Sequence, residues 1–330
     1  MKFINRFLGD FFEIAPTKQK VVAIGGGIGT AQLLRGLKNY SNLDLTAIIS
    51  MADDGGSAGR VRRAFDIQPP GDLITCLAAL SADESVVKDM LLYRFKGDRY
   101  GHDTSIEGQK LGNLAIVALR DITGDFNLAF EKLSEILSPR GVVLPATKNM
   151  VSIWAKTVEG KKVTGEENID LGKYNGKRQL ESVHLIPKNA PAFEKSTQAI
   201  LDADTIIAGP GDLYTSILPV LIINDVTKAI KKSKAKKIFV VNVTNKPFET
   251  PNYFAEDYQK AIIRHLGFDP FDYYLINNNT QSPIPDNLNY HFVTTKTKNK
   301  KFKFADIVKA DYAIHHDPDK LAETIIHLTK

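Results

Sequence analysis

The stretch VVAIGGGIGT, Val21–Thr30, decides the fold class of this chain. A β-branched apolar run breaks into glycines and then passes into AQLLRGLKNY (31–40), where apolar residues recur at helical spacing. This order of strand, glycine turn and helix predicts a βα unit whose amides and helix N-terminus bind a phosphate. Thr30 stands where G-x-G-x-x-G has its last glycine, so a plain strand-to-helix turn stays an alternative. The candidate ligand-binding residues of this loop are Gly25, Gly26, Gly27, Gly29 and Thr30.

The rest of the chain alternates between strand and helix patterns. Further apolar runs predict buried parallel strands at 44–51, 205–209, 236–243 and 273–277. Helical patterns lie at 30–40, 71–82, 85–96, 110–122, 125–138, 191–202, 223–233, 253–266 and, with Asp317 as N-cap, at the C-terminus. Residues 142–190 show short alternating runs and predict a small antiparallel β insertion. We therefore expect an α/β fold with a Rossmann-like, doubly wound, mostly parallel sheet, as one domain over 20–330.

Composition narrows the class of protein. The 330 residues are 43% hydrophobic and 25% charged, with a formal charge of +5. No apolar run reaches the roughly 18 residues that span a bilayer. The single cysteine, Cys76, excludes an internal disulfide and fits a reducing compartment, so we expect a cytoplasmic protein and a core position for this thiol. The basic runs 231–237 and 296–303 lack interleaved aromatic residues, which argues against a nucleic-acid partner.

Residues 1–19 form an extension before the first strand. Their apolar residues recur at 3/4 spacing within 1–15 and predict a short amphipathic helix. This stripe could pack on the body of the protein or on a second subunit, as in a homodimer, and the alternative is weak contact with a membrane surface.

A second polar loop, MADDGGSAGR (51–60), follows the second strand. Asp53 lies where the acid of a dinucleotide-binding unit binds ribose, roughly 20 residues after the last glycine. Paired acids beside a glycine loop can hold a hydroxyl pair or, with phosphate oxygens, Mg²⁺. A capped turn followed by a solvated basic helix is the alternative. The candidate residues are Asp53, Asp54, Gly55, Gly56, Ser57 and Arg60, with Asp53 and Asp54 as candidate Mg²⁺ ligands.

Three further segments supply polar groups. Asp72 follows two prolines and is either a helix N-cap or a site residue. Asn113 is either a hydrogen-bonding group for a base or sugar or a structural residue. The run AGPGDLYTS adds Gly209, Gly211, Tyr214, Thr215 and Ser216. In a doubly wound sheet such loops meet in one crevice at the switch point, so the set predicts a nucleotide-type ligand with its pyrophosphate near 25–30 and 209–216.

Catalytic motifs are missing from the sequence. The histidines show no metal-ligand spacing, and the pair His315-His316 is predicted to lie in a solvated turn. There is no G-x-S-x-G elbow and no C-x-x-C pair. No catalytic residue is therefore predicted.

Taken together in order, VVAIGGGIGTAQLLRGLK, DLTAIISMADDGGSAGRVR, PPGD, LGNL, ITGDF, GVVLPAT, VTGE and AGPGDLYTSILP resemble the YvcK-like gluconeogenesis factor family. That family is a branch of the 2-phospho-L-lactate transferase (CofD-like) superfamily. The resemblance implies a cytoplasmic bacterial protein with a Rossmann-like core that binds UDP-sugars and is associated with gluconeogenic growth, cell shape and envelope synthesis. The transferase branch instead moves a phospholactyl group from a guanosine diphosphate conjugate, using Mg²⁺.

This chain departs from the family pattern at several positions. The family has Thr at Ile28, His at Gln109, Arg-Asn at Ile74-Thr75, Ser at Asp212 and a TQPGET-like run at 245–250. A positive charge and an imidazole are thus lost and an acid is gained. Asp212 would repel a pyrophosphate unless it binds a metal or points away from it.

Three functions compete. A nucleotide-sugar-binding regulator without turnover needs hydrogen-bonding groups and glycines, which the sequence has. A transferase of a phosphoryl-linked group would use Asp53 and Asp54 to hold Mg²⁺ and Arg60 to stabilise phosphate charge. An NAD-dependent dehydrogenase is disfavoured because Thr30 replaces the last glycine of the G-x-G-x-x-G dinucleotide-binding pattern. The second glycine loop would also have no role in such an enzyme.

Overall fold

The computed structural model describes residues 18–81, 86–175 and 179–330. The strands are β1 (Gln19–Gly25), β2 (Leu43–Ile49), β3 (Val142–Pro145), β4 (Ser152–Thr157), β5 (Lys162–Thr164), β6 (Leu180–Ile186), β7 (Thr205–Ala208), β8 (Lys236–Val240), β9 (Thr244–Asn245), β10 (Tyr273–Asn277), β11 (His291–Phe292), β12 (Phe302–Ala305), β13 (Val308–Lys309) and β14 (Tyr312–His316). The helices are α1 (Gly27–Leu37), α2 (Gly56–Phe65), α3 (Gly71–Leu80), α4 (Val86–Leu92), α5 (Leu111–Thr123), α6 (Phe126–Leu137), α7 (Glu166–Asp170), α8 (Glu194–Asp202), α9 (Leu218–Leu221, preceded by a π-helical turn at Leu213–Ile217), α10 (Asn224–Lys232), α11 (Ala255–Leu266) and α12 (Pro318–Thr329).

The main sheet has seven strands in the order β12-β10-β8-β7-β1-β2-β3, and every pairing in it is parallel. The chain builds outward from β1 through β2 to β3, returns to β7 beside β1, and then builds outward in the other direction. The strand order therefore reverses between β1 and β7, where Ile24 pairs with Ala208. This reversal is the switch point at which open α/β sheets bind ligands. The predicted Rossmann-like α/β fold is confirmed.

Helix α1 is held in place by close backbone contact with the C-terminal helix. A Cβ on Gly36 would lie 2.0 Å from the carbonyl oxygen of Pro318, so only glycine allows this approach. The side chain of Asp317 accepts hydrogen bonds from the amides of Asp319 and Lys320, which confirms it as the N-cap of α12. Together these contacts hold the C-terminal end of α1 against the start of α12.

The structure corrects several sequence predictions. Val142–Pro145 is an edge strand of the main sheet and not part of the antiparallel insertion, which is the sheet β5-β4-β6. Its half-buried alternation is that of an edge strand exposed on one face, which imitates an antiparallel strand. Helix α2 was missing from the predicted helices because glycines occupy its first turn. Part of the basic run 296–303 forms the start of β12, whose lysine protects an open sheet edge.

The amphipathic segment predicted within residues 1–15 lies outside the described residues. Within the described ranges, no single helix is long and apolar enough to cross a membrane. The stretches Leu213–Leu221 and Asn224–Lys232 meet the length and composition criterion only as a pair, and they are bent by 72° relative to each other.

Candidate ligand-binding pocket

A cavity of about 580 Å³ opens at the carboxyl ends of the central strands, beside the switch point. Ten of the predicted ligand-binding residues line it: Gly26, Gly27, Gly29, Asp53, Gly55, Gly56, Asp72, Gly211, Thr215 and Ser216. Eight others do not: Gly25, Thr30, Asp54, Ser57, Arg60, Asn113, Gly209 and Tyr214. The loops that the sequence marked therefore converge, although not every marked side chain reaches the cavity.

Asp72 lies against the first glycine loop. A Cβ on Gly26 would lie 2.7 Å from Asp72 Oδ2, so glycine here makes room for a side chain of the protein itself. Burial raises the pKa of Asp72, against the opposing effects of the Lys110 ammonium and the Gly27 amide. This carboxylate thus covers the N-terminus of α1, where the sequence suggested a pyrophosphate. Asp72 is not the N-cap of its own helix, since that position belongs to Pro70.

The two acids of the second loop face different ways. Asp53 lines the cavity, and its Oδ1 accepts a 2.9 Å hydrogen bond from the Gly55 amide. Burial and the neighbouring Asp72 raise the pKa of Asp53 to about 7. Asp54 turns away from the cavity and accepts hydrogen bonds from the Glu167 amide (2.9 Å) and the Ser152 hydroxyl (3.4 Å). The predicted pairing of Asp53 with Asp54 around one Mg²⁺ is therefore not supported by their positions.

Arg60 also has a different environment from the one expected. Its guanidinium is completely buried and donates to the carbonyl groups of Asp98, His102, Ser105 and Glu107. Arg60 therefore fixes the loop 98–107 from behind and does not line the cavity, which corrects the proposal that it pairs with a phosphate. A buried guanidinium with four carbonyl partners is a structural anchor.

Ser57 and Asn113 form a buried polar layer behind the second loop. Ser57 Oγ accepts hydrogen bonds from Arg94 Nη1 (3.0 Å) and from Asn113 Nδ2 (3.3 Å). Thr30 is likewise buried, and its hydroxyl points to the carbonyl of Pro210 at 3.5 Å. These groups support the loops that line the cavity. Asn113 therefore has the position of a structural residue and not that of a group that contacts a base or sugar.

The third loop is held by a buried acid. Glu249 accepts from the Tyr214 amide at 3.1 Å and from the Thr215 hydroxyl. Burial and the nearby Asp212 raise the pKa of Glu249 to about 8. The Tyr214 hydroxyl bonds to Tyr253 in the core, which explains why this predicted residue does not reach the cavity. A second helix N-terminus at the pocket is thus covered by a carboxyl group of the chain.

Asp212, the acid that the family pattern lacks, is paired. Lys246 Nζ lies 2.7 Å from Asp212 Oδ2 and also contacts Asp170 on α7. Burial opposes the charged form of Lys246, but the two aspartates outweigh it and raise its pKa well above the usual value. Lys246 itself stands where the family pattern has Gln, so two departures from that pattern meet as one ion pair. Asp212 therefore carries its own counter-charge within the protein.

Sequence reasoning missed most of the charged residues of the cavity. They are Arg94, Arg99, Lys110, Glu166, Glu167, Asp170 and Lys246. The loop between α4 and α5 supplies the first three, and the antiparallel insertion supplies the next three. The run VTGE ends at Glu166 and the run LGNL begins directly after Lys110, but neither identifies these charged side chains as site residues, and only the tertiary fold brings the two segments to the sheet.

The prediction for the histidine pair was wrong. His315 and His316 end strand β14 and line the cavity, and His316 is 5% exposed. Burial lowers the pKa of His316 to about 4, and its Nε2 lies 3.3 Å from the Val241 carbonyl oxygen. Cys76 is buried on α3, which confirms its core position.

Comparison with known proteins agrees with this architecture. The sequence profile of the family described as 2-phospho-L-lactate transferase CofD matches residues 21–318. This chain belongs to the CofD family. Within it, the chain is similar to the gluconeogenesis factor of Bacillus subtilis, with 36% identity over 95% of this chain and 99% of that protein. The gluconeogenesis factor of Halalkalibacterium halodurans is 35% identical, over 94% and 96% of the two chains.

A crystal structure of a Bacillus halodurans protein superimposes with a TM-score of 0.84 and 34% identity, covering 94% of this chain and 99% of that one. Some relatives are longer than this chain. The chain is 39% identical to a Clostridium acetobutylicum protein but spans only 63% of its length.

Proposed function

We propose that this protein is a nucleotide-sugar-binding regulatory protein of carbon metabolism that binds a UDP-sugar in the switch-point cavity. The observation that carries the proposal is the cavity itself. Its volume of about 580 Å³ lies within the range of small-molecule sites, and glycines, hydroxyls and charged groups from separate loops line it. The relatives named gluconeogenesis factor support the metabolic role.

The lining suits binding better than turnover. Thr215 and Ser216 offer hydroxyls, and Asn242 offers an amide that already holds the Gly211 N–H at 3.1 Å. The hydroxyl of Thr215 bonds to the buried Glu249, which also accepts from the Tyr214 amide, so this contact serves to hold the third loop. A regulator would work in the cytoplasm by reporting the level of its UDP-sugar, with effects on cell shape and envelope synthesis.

Isothermal titration of the purified protein with UDP-N-acetylglucosamine tests the proposal. We expect saturable binding without Mg²⁺, recovery of intact ligand, and no binding of NAD in a parallel titration. Absence of UDP-sugar binding under all conditions would refute it.

A second candidate is a Mg²⁺-dependent transferase that acts on a nucleoside diphosphate conjugate. The observation that favours it is the pair of neighbouring carboxyl groups, Asp53 and Asp72, at the cavity wall. Mg²⁺ is commonly held by one or two carboxylates together with substrate phosphates, and this pair fits that donor set, whereas Asp54 does not. The bound ion would neutralise phosphate charge.

The two candidates differ in their metal requirement. The transferase predicts binding that needs Mg²⁺ and is abolished in Asp53→Asn, together with conversion of the ligand. The regulator predicts binding that survives both chelation of metal and this substitution.

A further inference from the structure

Four basic side chains line the cavity, and they fall into two groups. Lys246 is neutralised by Asp170 and Asp212. Arg94, Arg99 and Lys110 also line the cavity, and in the described part of the chain none of these three forms an ion pair with a carboxylate. Unpaired cations that converge on a cavity are the usual mark of an anion site.

The Lys110 ammonium retains unused donors. Its Nζ donates to Thr75 Oγ1 at 3.0 Å, while the Thr75 hydroxyl itself donates to the Gly71 carbonyl at 2.7 Å. An ammonium has three N–H donors, so two have no partner among the described residues. Thr75 thus holds the Lys110 side chain in place and leaves its charge directed at the cavity.

The Arg99 guanidinium lies over the N-terminus of α2. A Cβ on Gly56 would lie 2.6 Å from Arg99 Nη2, so the glycine, with its φ of +48°, makes room for the guanidinium. Arg99 also lies 5.0 Å from the centroid of the Tyr100 ring, which limits its freedom. No hydrogen bond or ion pair engages its guanidinium within the described ranges.

Arg94 completes the group. Its Nη1 donates to Ser57 Oγ at 3.0 Å and to the Gly108 carbonyl at 2.7 Å, which orients the guanidinium. Burial and Arg99 lower the pKa of Arg94. Burial also lowers the pKa of Lys110, where the nearby Asp72 and Asp53 carboxyl groups oppose the effect of burial and Arg94 and Arg99 add to it. The three charges therefore repel one another, and a bound anion would relieve this repulsion.

We propose that Lys110, Arg99 and Arg94 form the seat of the phosphate groups of the ligand, which is a diphosphate. Sequence reasoning placed a pyrophosphate on the glycine loops, but Asp72 and Glu249 cover the helix N-termini there. Among the described lining residues, Arg94, Arg99 and Lys110 are the remaining side chains that offer positive charge to a phosphate. This inference rests on the proposed function only in taking the diphosphate to be part of a nucleotide.

Titration calorimetry with inorganic pyrophosphate, UDP and UDP-N-acetylglucosamine tests the seat. Lys110→Met roughly keeps the length of the side chain and removes its charge, and Arg99→Gln removes the charge at an exposed position with a shorter polar side chain. Both should weaken pyrophosphate and UDP binding about 10- to 100-fold, the size expected for a charge-assisted hydrogen bond. Lys96→Met, at an exposed lysine of the same loop outside the cavity, should leave binding unchanged. Thermal unfolding checks that each variant is folded.

The outcomes separate this inference from the proposed function. Equal UDP binding by the wild type and by folded Lys110→Met and Arg99→Gln would overturn the seat while the UDP-sugar proposal stands. Lys110-dependent pyrophosphate binding without UDP-N-acetylglucosamine binding would support the seat and refute the UDP-sugar. A wild-type protein that binds neither pyrophosphate nor UDP would overturn the seat.

Discussion

The ion cluster of Lys246, Asp170 and Asp212 in the pocket gives the sharpest prediction. Lys246→Gln removes the only ammonium in contact with Asp170 and Asp212 among the described residues. Oxygen atoms of these two acids and of Glu249 lie within 4.8 Å of one another. Two unit charges at that distance repel by about 3.5 kcal/mol at an effective dielectric constant of ~20.

Two effects reduce this figure. Glu249, whose pKa is about 8, is largely protonated at pH 7, so one repelling pair remains. The side chains of Asp170, Asp212 and Lys246 are each about a quarter exposed and can move towards water. We therefore expect Lys246→Gln to lower the free energy of unfolding by about 2–3 kcal/mol. At about 2 °C per kcal/mol for a chain of this size, the midpoint of thermal unfolding falls by about 4–6 °C.

The assay is a double-mutant cycle in thermal and urea unfolding at pH 8 and pH 5. Asp212→Ser alone leaves the Lys246–Asp170 contact and should lower the free energy of unfolding by about 1 kcal/mol. The double variant Lys246→Gln/Asp212→Ser should lower it by little more than Asp212→Ser alone. Without the ammonium, the folded-state pKa of each aspartate rises. The loss of unfolding free energy in Lys246→Gln is therefore complete at pH 8, and it becomes smaller towards pH 5 because the folded variant takes up protons. Additive effects of the two substitutions, or a loss that grows on acidification, would refute the reasoning.

Three further predictions concern other parts of the fold. Gly36→Ala places a Cβ against the Pro318 carbonyl and should lower the free energy of unfolding by about 1–3 kcal/mol in urea titrations, and an unchanged midpoint would contradict the contact. Asp53→Asn removes an acid with a raised pKa. It should therefore raise the unfolding temperature at pH 8 by a few degrees and much less at pH 3, where the wild-type carboxyl is protonated in the folded state and mostly protonated in the unfolded state. Arg60→Met should speed amide hydrogen exchange in 98–107 more than elsewhere, and uniform exchange would show that the loop does not depend on it.

Much of the fold could be predicted because its signals are local. The apolar run and glycine turn at 21–30 specify β1, the loop and α1, and parallel sheets follow from repetition of that unit. Edge strands were less visible. β3 and β12 are buried on one face only, so their patterns resemble an antiparallel strand or a basic loop. The local sequence does not distinguish an edge strand from an antiparallel strand or a basic loop, because the difference depends on which strand the segment pairs with.

The site was predictable in place but only partly in its residues. Loops at the carboxyl ends of parallel strands must converge, so Asp53, Asp72 and Thr215 could be assigned together. Arg99 comes from a connection without a motif and Lys110 from just before the LGNL run, and their role depends on which charges the fold leaves unpaired. The prediction that Arg60 contacts a phosphate was wrong because this side chain is buried beneath the loop 98–107, and a run of basic residues does not reveal which of them is buried.

The glycines of the pocket have a consequence for ligand recognition. Gly26 admits Asp72 and Gly56 admits Arg99, so the space that a missing Cβ leaves is filled by side chains of the protein. A ligand phosphate near α1 would meet a carboxylate, whereas one near α2 would meet a guanidinium. The same type of loop is thus acidic at one helix start and basic at the other. The nucleotide should therefore bind with its diphosphate towards α2 and its neutral hydroxyl groups towards Asp72, since carboxylates accept hydrogen bonds from hydroxyls and repel phosphates.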